Sequence, residues 1–166
     1  MAKITLSKLR HSYYPNPKTP EDYALKEIDL DWEDLLPTDQ NTIPNELRSL
    51  LPHDEQAPMT SQQPASNGVR TDWNGQVVRL PGFIVPIDYK GSGVTAFILV
   101  PYVGACVHVP PPPANQLVFV TTPDPYESSG LFEPVNVIGM FGAAATFTQL
   151  AEVGYALSAD LIEPYS

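Results

Sequence analysis

The chain has 166 residues, a net charge of −10 and 43% hydrophobic residues, which suits one domain with a real core and excludes global disorder. Its 19 prolines exclude a bundle of long helices and favour short strands joined by stiff loops. The acidic balance argues against nucleic acid and anionic membrane surfaces as partners, because both require a basic footprint.

Charge divides the chain. Residues 1–20 carry Lys3, Lys8, Arg10 and Lys18 and no acid, and no signal peptide is visible in MAKITLSKLR. Residues 21–60 hold eleven acids against Lys26 and Arg48, and residues 61–166 hold eight acids against three cations. No apolar run reaches the ~20 residues of a membrane span. The organisation predicted is an acidic arm over 1–53, docked on the main domain, then a linker over 54–68 and a β-barrel domain over 69–166. Within the arm, LDWEDLLP (Leu30–Pro37) sets Trp32, Leu35 and Leu36 among acids. That pattern predicts docking through Trp32, with a partner-recognition segment as the alternative. Prolines at 37, 44, 52, 58 and 64 leave room for one short helix, Asn45–Leu51.

After Gly68 the pattern becomes strand-like. Gln76–Asp88 (QVVRLPGFIVPID) predicts a strand bent at Pro81-Gly82. Gly91-Ser92-Gly93 is a turn, and Val94–Val100 (VTAFILV) is a continuous apolar run of strand length. Cys106–Val109 reads as a continuation of that strand, followed by four consecutive prolines in extended conformation. Leu117–Thr121 and Val135–Phe141 predict further strands, with a loop over 122–130 between them. Ala143–Glu152 suggests a short helix, and Gly154–Tyr165 a closing strand. The fold class expected is all-β: a small antiparallel five-stranded barrel of the oligonucleotide/oligosaccharide-binding kind, with an extended N-terminal arm and one or two short helices. A β-sandwich is the alternative.

Gly104–Gln116 (GACVHVPPPPANQ) concentrates the chemistry-bearing residues. Cys106 is the single cysteine, so no intrachain disulfide exists. On a strand, Cys106 and His108 would share one face, and a thiolate with an imidazole suits zinc. Further ligands would have to come from Asp88, Asp124, His11, His53 or a partner. A second chemistry is a cysteine nucleophile paired with His108, whose ring Asn115 would orient. The bland reading makes Cys106 a buried small hydrophobe. A third reading makes Pro110, Pro111, Pro112, Pro113, Asn115 and Gln116 a rigid ridge for docking a partner protein.

This segment, with PGFIVPID upstream, VNVIGMF and GYALSADLIEPY downstream and LDWEDLLP in the arm, resembles a bacterial family of exported domains of unknown function. The resemblance spans roughly Leu30–Tyr165, and its motif falls on Gly104, Cys106, His108, Pro110–Pro113, Asn115 and Gln116. Family members are often described as lipoproteins and are encoded near ABC-transporter components, some in zinc-responsive clusters. The resemblance implies a periplasmic setting, a link to metal handling and no catalytic mechanism. The function expected is therefore a non-enzymatic periplasmic accessory or binding protein, with zinc on Cys106 and His108. The alternatives are a docking module for a membrane transporter or periplasmic protein, working through the Pro110–Gln116 ridge, and a cysteine-dependent enzyme.

Overall fold

The computed structural model describes residues 27–37 and 63–165. Its strands are β1 (Ile28–Asp29), β2 (Gln76–Lys90), β3 (Gly93–Val100), β4 (Val118–Tyr126), β5 (Pro134–Phe147) and β6 (Glu152–Pro164). Five of them close a ring in the order β2-β3-β4-β6-β5, with β5 returning to β2, and β1 pairs with β2 outside it. The expected small barrel is the one formed. One pairing in the ring, β4 with β6, is parallel, so the sheet is mixed. The helical content among the described residues is two 3-10 turns, Trp32–Leu35 and Ala114–Gln116. No helix among the described residues is long and apolar enough to cross a membrane.

The ring closes because β2 is long and bent. Its first half pairs with β5 (Gln76↔Phe141 to Phe83↔Pro134) and its second half with β3 (Phe83↔Val100 to Lys90↔Gly93). The Pro81-Gly82 step lies where one partner gives way to the other. Side-chain alternation then separates two cores. Phe97 and Leu99 of β3, Val118 and Val120 of β4, and Tyr155 and Leu157 of β6 fill the barrel. Ile98 and Val100, with Val85 of β2, point outward into a second cluster that includes Ala105, Cys106 and Leu117. Because β3 is covered on both faces, its sequence is continuously apolar.

Three local expectations differ from the structure. Ala143–Glu152 forms the end of β5 and the turn into β6, because pairing of Thr146 with Val153 and Phe147 with Glu152 overrides the helical propensity of three alanines. Strand β4 continues through Tyr126, opposite Val94, where a loop was expected. Cys106–Val109 forms no strand, as described below. The helix expected over Asn45–Leu51 lies outside the described residues.

Residues 27–37 pack against the barrel. Ile28 and Asp29 pair in parallel with Val78 and Arg79, and the Leu30 amide donates to the Arg79 carbonyl at 2.9 Å. The Trp32 indole N–H donates to the Pro81 carbonyl at 2.7 Å, using the backbone at the bend. Leu35 is fully buried, and the hydroxyl of buried Tyr155 donates to its carbonyl at 2.6 Å. Arg79 joins Glu27 (2.8 Å) to Glu163 (2.7 Å), fastening the arm to the last strand.

Candidate functional site: the Gly104–Gln116 loop

The loop between β3 and β4 folds around one backbone atom. The Gly104 carbonyl accepts from the amides of Val107 (3.3 Å), His108 (2.8 Å) and Val109 (3.1 Å). Gly104 has φ +98° and Cys106 φ +67°, so the chain turns sharply at both. Glycine permits the first of these at little cost; the second puts a cysteine in the left-handed region. The strand expected across Cys106–Val109 is thus a tight turn, and the shared face that would have paired Cys106 with His108 does not arise.

The two side chains part. Cys106 is 2% exposed and lies in the outer cluster among Val85, Ile98, Val100 and Leu117. Burial pushes its thiol pKa up to about 12, so at neutral pH it holds its proton. His108 is exposed, its ring 5.9 Å from that of Phe132. Zinc and nucleophilic catalysis both require a thiolate, which this apolar surrounding disfavours. Among the described residues no group of three or more His, Cys, Asp and Glu comes together to hold a metal ion. The described donors therefore do not fit a zinc centre. Asp88 sits beside a bulge in β2 and Asp124 on exposed β4; His11 and His53 lie outside the described residues.

Asn115 does not orient His108. It is 1% exposed, and its side-chain amide donates to Asn67 Oδ1 (2.8 Å) and to the Gly68 carbonyl (3.0 Å). Gln116 donates to the Trp32 carbonyl at 2.8 Å. Gln63 donates to the carbonyls of Pro112 (3.0 Å) and Glu152 (2.7 Å) and accepts from the Glu152 amide (2.9 Å). The end of the segment is a clamp that joins the arm, residues 63–68 and β6. Gly154 of β6 permits it, because a Cβ there would stand 2.8 Å from the Ala114 carbonyl oxygen.

The prolines are the largest departure from expectation. Pro111, Pro112 and Pro113 are buried, and Pro110 and Gln116 are half-buried, so the residues form an internal strut in place of a surface ridge. Their fixed φ suits a strut that lacks strand partners. The turn before the strut exposes Tyr102 (43%), Val103 (61%) and Val109 (42%), and Leu131 (48%) is exposed on the segment that carries Phe132. Reasoning over polar residue types missed these four. A readable signal existed: no Asp, Glu, Lys or Arg occurs between Lys90 and Asp124. The turn also covers the outer face of β3 and β4, the face that barrels of the oligonucleotide-binding kind use for ligands.

A groove of about 530 Å³ runs between the arm and the barrel, lined in part by Asp29, Asp31, Asp34 and Arg79. Two of its carboxylates are committed to the local fold: Asp31 accepts from the Trp32 amide and Asp34 from the Asp31 amide. Their role is the capping box of the Trp32–Leu35 turn.

Comparison with known proteins places the chain in a family and gives similar solved structures. Residues 32–164 match the family model described as protein of unknown function, DUF3299. The fold is similar to the crystal structure of a DUF3299-family protein from Pseudomonas aeruginosa PAO1, with a TM-score of 0.72 and 34% sequence identity over 84% of this chain and 97% of that one. No curated protein matches.

Proposed function

The chain belongs to the DUF3299 family of proteins of unknown function, and we propose that its barrel is a non-enzymatic docking module for a partner protein. The observation that carries this reading is the division of the β3–β4 turn. Its thiol is sealed inside, while Tyr102, Val103 and Val109 are exposed on the turn that leads into a run of buried prolines. A prestiffened apolar knob loses little conformational entropy when it enters a complementary notch. Exposed apolar side chains clustered on one rigid turn mark contact surfaces more often than isolated ones do. The docking surface we assign is therefore Tyr102, Val103, Val109 and Leu131, in place of the proline ridge. The setting we take is the periplasm, as the sequence resemblance implies, with a component of a membrane transporter or another periplasmic protein as the partner.

Site-specific photo-crosslinking in cells that express the full chain tests this. A crosslinker at Val103 should give a discrete adduct, reduced at least about tenfold by Val109→Asp, a change worth 1.4 kcal/mol or more. The same probe at Tyr89, an exposed aromatic on the opposite end of β3's partner strand, should give none. Equal labelling from both positions, or none from either, contradicts the proposal.

A further inference from the structure

Two Asn-Gly steps occur in the chain, Asn67-Gly68 and Asn74-Gly75. Asparagine before glycine holds an electrophile and a nucleophile side by side. Its side-chain carbonyl carbon and the next backbone nitrogen can close a five-membered imide, and glycine has no Cβ to obstruct the closure. Both asparagines are exposed, so their hydrogen bonds decide which of them reacts. The Gly75 nitrogen, just before β2, donates to the Phe141 carbonyl of β5 at 2.8 Å. Asn74 Oδ1 accepts from the Ala143 amide of the same strand, also at 2.8 Å. Closing that imide would pull both groups off the sheet. Gly68 lies outside the strands at φ +115°, and its nitrogen donates to the exposed Ser66 hydroxyl at 3.2 Å, a contact that water can replace. Asn67 Oδ1 accepts at 2.8 Å from the side-chain amide of Asn115, which is 1% exposed. A buried donor on that oxygen stabilises the negative charge that develops there when a nucleophile attacks. Asn115 gives its other N–H to the Gly68 carbonyl at 3.0 Å and leaves its own Oδ1 buried without a partner. Turning the amide over would set that oxygen against two others, so the nitrogen stays on Asn67.

We propose that Asn67-Gly68 is a site of spontaneous covalent modification, where the native fold converts Asn67 to aspartate and isoaspartate while it protects Asn74. The Gly68 nitrogen gives its proton to solvent and attacks Asn67 Cγ, forming an N–C bond. The Cγ–Nδ2 bond then breaks, and the amide nitrogen leaves as ammonia after taking a proton from solvent. Water opens the imide at one carbonyl to give aspartate, or at the other to give isoaspartate, with one more carbon in the main chain. Each product carries a new negative charge. The longer chain shifts the Gly68 carbonyl away from Asn115, whose neighbour Gln116 holds the Trp32 carbonyl of the arm. The modification therefore falls on the clamp that joins residues 63–68 to the barrel. It is independent of the docking reading.

Incubation of the folded full chain at about pH 8 in water enriched in heavy oxygen, followed by peptide mass analysis, tests the proposal. Enzymatic methylation of isoaspartate identifies the product. Asn67 should become acid at least about tenfold faster than Asn74, each new acid carrying one heavy oxygen. In urea, where both sites lose their hydrogen bonds, the two rates should come within about threefold of each other. Asn67 should react in the folded chain at least as fast as in urea, because Asn115 assists it only there. The isoaspartyl chain, separated by anion exchange, should unfold at lower urea than the unconverted one. Equal rates at the two sites in the folded chain, or an Asn67 rate that rises on unfolding, would overturn the proposal. So would cleavage of the chain after Asn67 in place of acid formation. An isoaspartyl chain with an unchanged urea midpoint would overturn the placement of the modification on the clamp.

Discussion

Cys106 shows how a single backbone angle decides a residue's chemistry. Sequence spacing placed it two positions from His108, and on a strand that spacing would have built a pair of ligands. At φ +67° it turns inward, and the imidazole is left outside. Nothing in the sequence announces a left-handed cysteine, because glycine and asparagine are the usual occupants of that region. Gly104, two residues earlier, is the legible half of the turn. The raised thiol pKa has a consequence for stability, with a definite sign. Below the ordinary thiol value of about 8.5, folded and unfolded chains both hold the proton and the thiol contributes no pH dependence. Above it the unfolded chain ionises first, while the folded thiol stays protonated up to about 12. Stability therefore falls as pH rises through that window. Urea midpoints measured at pH 7 and pH 10.5 should drop more for the native chain than for Cys106→Ala. Tyr126, also pushed up to about 12, acts in the same direction and is common to both. Equal drops would place the thiol in water.

Among the elements, the strands most legible in the sequence are those whose two faces differ from solvent in a simple way. The continuous apolar run of β3 followed from burial on both sides, and the bend of β2 from Pro81-Gly82. The Ala143–Glu152 segment departs from its helical local preference because only its pairing with β6, a tertiary fact, makes it a strand. The stiffness of the proline run is legible in the sequence, and its burial is not. Stiffness is a property of four prolines in sequence, whereas burial depends on Gln63 and β6 closing over them. The arm's anchorage through Trp32 was legible; its more deeply buried residue is Leu35, held beneath Tyr155. Leu35→Ala should lower unfolding free energy by about 2–5 kcal/mol, the range for truncating a buried leucine. Urea denaturation followed by tryptophan fluorescence measures this, since Trp32 lies on the same turn. A loss below about 0.5 kcal/mol would mean that the arm is not part of the folded unit.

For the whole molecule, composition predicted a small all-β domain, and the barrel agrees. The closure order comes with the kind of barrel expected and not from the apolar runs taken singly. Placing β6 between β4 and β5 depends on which strand edges remain free once the ring begins to close, and hydrophobic patterning does not encode that. Charge carried a different message at this scale. The net charge of −10 drew attention to the acidic residues 21–60, yet the informative region is the uncharged one between Lys90 and Asp124. There the chain divides its labour: a thiol and three prolines inside, an apolar knob outside. If that division holds, the segment works by its shape and exterior, and its cysteine is packing. Alkylation of Cys106 across pH 7–9.5, in the native chain and in urea, tests this most directly. The native thiol should react more than about 100-fold slower than the unfolded one at every pH, since access requires the turn to open. Reaction within about tenfold of the unfolded rate, or a native titration midpoint below about 8, would contradict the account and return the thiol to the list of reacting groups.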